Sequence, residues 1–122
     1  MDLRKYSNRV LWAGMVHLFF DVIFLGLAFL FSNGGGILGG GNNDNAPLGF
    51  LLGVFALIVG ILFIVSSRWI RNPSTARKGA KVSMVLGLLH IPIFFMFTWS
   101  APGLIAFLAG KDALAYVNEQ KL

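Results

Sequence analysis

The chain has 122 residues, 57% hydrophobic and 12% charged, with a net charge of +5 and no cysteine. This composition excludes an ordinary soluble domain, and the polar segments at 1–9, 32–46, 67–81 and 111–122 are each too short to bury a core of their own. Without cysteine there can be no disulfide, thiolate nucleophile, cysteine-ligated zinc, iron–sulfur cluster or lipoprotein anchor.

The apolar pattern predicts an all-α integral membrane protein. A single domain over residues 1–122 is expected to hold four transmembrane helices, at about 10–31, 47–67, 80–99 and 102–117, the fourth short. The basic lead at 1–9 reads as cytoplasmic, with Tyr6 and Trp12 as interfacial anchors. Val10 to Phe31 is too long for a signal peptide, has no Ala-x-Ala site after it, and is expected to stay attached. Within it His17 and Asp21 stand i, i+4, so both project from one face, on the stripe that also carries Gly14 and Ala28. A carboxylate at mid-bilayer costs about 3 kcal/mol even on a lenient scale, so Asp21 is expected to face protein.

Residues 32–46 carry six glycines and no lysine or arginine, and read as a flexible extracytoplasmic loop. The literal G-x-G-x-x-G at 34–39 has no βαβ setting, and 42–45 lacks the carboxylates of a calcium site. Pro47 opens the second helix, where proline is tolerated. Gly49, Gly53, Ala56 and Gly60 then form one stripe of small residues, a packing face for a helix of this chain or of another subunit. Ser66 to Lys81 reads as a cytoplasmic turn with five basic residues and Pro73. The third helix carries Ser83 and Gly87 on the face of His90, and Pro92, which is expected to kink it and free a carbonyl. The fourth continues past Lys111 and Asp112 as a tilted or partly interfacial helix, with the lysine snorkelling and the aspartate beside it partly paired.

Gly14 to Leu18 is answered by Gly87 to Ile91, and Ala46-Pro47 by Ala101-Pro102, which reads as two hairpins in tandem. Parallel first and third helices would bring His17 and His90 to one depth. Three accounts of His17, Asp21 and His90 stand side by side. The histidines are structural, His17 bonded to Asp21 and His90 to the carbonyl freed by Pro92. Alternatively, His17 and His90 are the axial ligands of a b-type haem, with Asp21 orienting His17. In the third, Asp21 and His17 exchange protons in coupled transport.

An acidic residue in the first of four short helices resembles the layout of the small multidrug transporters, which implies proton-coupled transport through Asp21. The glycine loop, the basic turn and the two histidines depart from that layout. APGLIAFLAG, from Ala101, after a basic turn and a glycine-containing third helix, is similar to small uncharacterised four-helix membrane proteins of Gram-positive bacteria. That resemblance implies a fold and no activity. No catalytic set is recognisable, so a non-enzyme is expected. The stripes of small residues lead to the expectation of an accessory or assembly subunit of a larger membrane complex. The bilayer and other membrane subunits are the expected partners. The protein is expected to be multi-pass in the plasma membrane, with no nucleic-acid or metal site, the basic residues serving head groups.

Overall fold

A computed structural model describes residues 2–32, 46–94 and 100–121, with the side chains of 28–32, 46–50, 92–94 and 100 left aside. The described residues form four helices and no strand: α1 (Leu3–Ser32), α2 (Ala46–Arg71), α3 (Ala76–Phe94) and α4 (Ser100–Glu119). The glycine loop with its 34–39 match, the stretch at 42–45 and the expected end of the third helix at 95–99 lie outside the described residues, as do the surroundings of Gly49 and Ala28.

Helix α1 begins seven residues before the expected start, because Asp2 caps it. Its Oδ1 accepts the Arg4 amide at 3.1 Å and its carbonyl the Lys5 amide at 2.9 Å, and a carboxylate there suits the positive end of the helix. Leu3, Tyr6, Ser7 and Val10, at helical spacing, then bury inward, and Tyr6 meets Tyr116 of α4 with ring centroids 6.1 Å apart. The basic lead is therefore part of the bundle.

The expected turn at 66–81 is also much shorter, spanning only 72–75. Arg68 and Arg71 suit the negative end of α2. Thr75 Oγ1 donates to the Trp69 carbonyl at 2.9 Å, and Asn72 Oδ1 accepts from the Ser74 amide and hydroxyl at 3.1 and 2.9 Å. A side-chain-closed turn of this kind needs few residues, so the helices run on past their apolar stretches. Lys111 and Asp112 lie at the basic end, because Asp112 faces Arg9 at 3.8 Å across α1 and α4. The partner of Asp112 is thus Arg9 of another helix.

Each helix packs most extensively on its hairpin neighbour, α1 on α2 and α3 on α4, with α1–α4 and α2–α3 closing the ring. The histidine helices are therefore diagonal. The small residues make these approaches. A Cβ on Gly14 would stand 3.0 Å from Phe63 Cβ and 3.2 Å from the Gly60 carbonyl; one on Gly87 would stand 2.5 Å from the Gly103 carbonyl and 2.6 Å from the Phe107 amide. Gly53 lies against Leu25, Gly60 against Leu18 and His17, and Ser83 Oγ donates to the Ala106 carbonyl at 2.8 Å. These described small residues thus have their packing partners within the chain.

The two glycine–histidine pairs pack alike. Gly14 packs at Gly60 in the first hairpin and Gly87 at Gly103 in the second. The two Ala-Pro pairs are not equivalent in height, because Pro47 lies thirteen residues before Gly60 whereas Pro102 adjoins Gly103.

Gly87→Ala must push backbone apart, and should lower stability by roughly 1–3 kcal/mol, the range for overpacking. Gly26, around which a Cβ meets nothing within 4 Å, is the control; Gly26→Ala should be neutral or gain up to about 1 kcal/mol of helix propensity. Thermal unfolding of both variants in mild detergent, followed by circular dichroism, checks the contrast.

Candidate functional site

The interior of the bundle is polar where three sequence-predicted residues meet. His17, Asp21 and His90 are each 1–2% exposed. His17 Nε2 lies 3.0 Å from the Ala56 carbonyl, and His90 Nε2 lies 2.9 Å from His17 Nδ1. The imidazole centroids stand 4.5 Å apart at 70°. Two diagonal helices thus touch through their histidines at the bundle axis.

The neutral tautomers follow from the partners. A carbonyl only accepts, so the hydrogen of neutral His17 is on Nε2 and its Nδ1 is an acceptor. His90 must then donate from Nε2. One order of donation results, from His90 to His17 to the Ala56 carbonyl.

Asp21 completes the line. Its Oδ2 is 3.1 Å from His17 Nε2, within ion-pair range, yet no hydrogen bond reaches that oxygen because the N–H is aimed at Ala56. Proximity alone does not satisfy the oxygen. A buried carboxylate oxygen beside a donor committed elsewhere is a waiting acceptor. Small rotations of the His17 ring would redirect the N–H to it.

The expected bond from His90 to a carbonyl freed by Pro92 is replaced by the bond to His17, because the ring points across the bundle. Nor is there room for the haem reading as the rings are packed. Two axial nitrogens stand about 4 Å apart, at about 2 Å per metal–nitrogen bond, with a macrocycle between them. Here a 2.9 Å hydrogen bond fills that gap. The three side chains form a line, and among the described residues no group of three or more His, Cys, Asp or Glu is arranged to hold a metal ion.

Sequence reading missed three contributions, having placed Ala56 on the packing stripe alone. Ala56 serves through its carbonyl, which composition does not reveal. Gly103 gives His90 its space, since a Cβ there would be 2.5 Å from His90 Nδ1. Phe63 meets His17 edge-on at 6.2 Å and His90 at 5.9 Å between centroids. Only Gly103 had a signal, in its place beside Pro102 opposite a histidine helix.

The fold and site together define a four-helix protein with a buried carboxylate–imidazole–imidazole line. The chain matches no protein-family model, no curated protein and no solved structure.

Nitrogen-15 spectra of histidine-labelled protein should show the proton on Nε2 of both neutral rings. His90→Ala, which deletes the donor to His17 Nδ1, should cost about 1–3 kcal/mol, the figure for stranding a buried polar atom. A neutral His17 protonated on Nδ1 would contradict the assigned order.

Proposed function

We propose that this protein is a small polytopic membrane protein that moves protons through its helical bundle, with Asp21, His17 and His90 as the relay. The observation that carries the reading is the buried line of three titratable groups at hydrogen-bond spacing, at the centre of a bundle whose outer face is apolar. Such groups in an apolar setting are costly, and proton relays are among the uses that repay the cost.

The membrane setting draws on the distribution of side chains. Leu3–Leu27 and Leu51–Arg71 are long and apolar enough to cross a bilayer, and only 28% and 39% of their most apolar windows are buried. Trp12, Phe19, Val22, Leu51 and Leu88 are more than half exposed. Apolar surface of this extent outside and polar groups inside match lipid as the solvent. The basic residues flanking the 72–75 turn, on the start of α1 and near the end of α4 share one end, which the positive-inside bias puts in the cytoplasm.

In the relay, a proton reaching His90 Nδ1 lets His90 Nε2 pass its own proton to His17 Nδ1. His17 Nε2 then passes its proton to Asp21 Oδ2. One proton has entered, one carboxylate has become a carboxylic acid, and both rings have exchanged tautomer. The new tautomer leaves a lone pair of His17 Nε2 against the Ala56 carbonyl, which is unfavourable. The carbonyl therefore favours return to the starting order once Asp21 releases its proton.

An accessory or assembly subunit of a larger membrane complex is the second reading; Gly14, Gly53, Gly60 and Gly87 pack within the chain, so other subunits would meet its outer apolar faces.

The chain lacks cysteine, so single cysteines placed at the exposed Ser74 and Asn118 can report topology. Both should react with an impermeant maleimide from the cytoplasmic side only. Purified protein in liposomes loaded with a pH-sensitive dye tests the relay. Asp21→Asn should reduce proton flux by on the order of 100-fold, the lower figure for loss of a positioned acid–base group. Unchanged flux would reject the assigned role.

A further inference from the structure

A second polar layer lies in the bundle between the histidines and the basic end. Ser7, Ser66, Ser67 and Ser83 are all buried. Ser83 precedes His90 by seven residues, about 10 Å along α3 at 1.5 Å per residue. The Ser66 carbonyl lies 2.7 Å from the place of a Cβ on Gly79, one turn before Ser83, so α2 and α3 bring their hydroxyls to similar height. Ser66 donates to the Phe63 carbonyl at 2.9 Å, Ser67 to that of Ile64 at 2.7 Å and Ser83 to that of Ala106 at 2.8 Å. Each of these three hydroxyls commits its hydrogen to a carbonyl and keeps lone pairs that can accept. A tier of acceptors therefore lies below the relay, toward the basic end.

Phe63 separates the two layers. It packs at Gly14, one turn nearer the basic end than His17, and Ser66 is one turn further on. Its side chain is fully buried and its ring stands against both imidazoles, at 6.2 Å and 5.9 Å between centroids. The missing side chain at Gly14 is what lets α2 bring Phe63 this close to the axis. A benzyl side chain offers no proton site, and an apolar constriction holds back water and ions by refusing to be wetted.

We propose that Phe63 is the barrier of the proton path, closing the Asp21–His17–His90 line to the basic end, and that the buried serines are the arm of the path beyond it. This rests on the proton-relay reading. Gly14 seats the barrier, and movement of α2 against α1 would open it.

The test measures dye-reported proton flux in proteoliposomes under an imposed potassium diffusion potential, with full-length protein. Phe63→Ala should raise flux about tenfold over the unaltered chain, equivalent to lowering the barrier by about 1.4 kcal/mol. Adding Asp21→Asn to it should return flux to the level of Asp21→Asn alone. Phe63→Leu, which keeps the site apolar and filled, should stay near the unaltered chain, whereas Phe63→Tyr, which adds one hydroxyl to the barrier, should exceed Phe63→Leu. If Phe63→Ala does not yield folded protein, the Tyr and Leu pair decides, and equal flux from those two overturns the barrier. Flux from Phe63→Ala equal to that of the unaltered chain, while Asp21→Asn still abolishes it, overturns the barrier and leaves the relay standing. A Phe63→Ala leak that survives Asp21→Asn overturns the assignment of the barrier to this line. Loss of effect from Asp21→Asn in the unaltered background is the separate result that brings down the relay.

Discussion

The hydrogen bond between His17 and His90 is the contact on which the rest of the bundle turns. It joins α1 and α3, a diagonal pair, at the axis where four helices converge. Leaving either ring there without a partner would strand a buried polar atom, which costs more than an ordinary apolar contact supplies. The bond therefore fixes the rotation and the depth of both helices at once. Ala56 and Asp21 are placed around it, the one holding the His17 proton and the other waiting beside it.

Such a contact is possible only because backbone can approach backbone. Gly14 and Gly60 bring α1 to α2, and Gly87 and Gly103 bring α3 to α4, so each histidine is backed by a helix with no side chain in its way. The two hairpins thus build matching halves of one site. They do not build equal halves. The position that the glycine–histidine register equates with Asp21 is Phe94, so only the first hairpin supplies an acid. The line of three groups has a carboxylate at one end alone, which gives it a direction.

Large apolar side chains turned outward, with a group of polar ones buried among the apolar core, depart from the pattern of a soluble bundle. In water, burying Asp21, two histidines and four serines while exposing Trp12, Phe19 and Leu51 would be unfavourable on both counts. In lipid the exposed residues cost nothing and the buried ones find hydrogen-bonding groups they would otherwise lack. Toward the basic end Phe63, Ile70 and alanines such as Ala80, Ala109 and Ala113 share the interior with the buried serines.

Four apolar stretches, the basic ends and the i, i+4 placement of His17 and Asp21 were all legible in the chain, because each depends on residues close together in sequence. The repeat at Gly14 and Gly87 also pointed to a common depth for the histidines. Helix limits were less legible, since the cap at Asp2 and the side-chain-closed turn at 72–75 carry helix beyond the apolar pattern. Only the tertiary structure decided that the glycine stripe faces this chain's own helices, that the histidines bond to each other, and that the Ala56 carbonyl sets their tautomers. A backbone carbonyl has no sequence signature, and helix rotation about its axis is fixed by neighbours rather than by local residues. For the same reason the place of Phe63 against both rings follows from how α2 lies on α1 and α3.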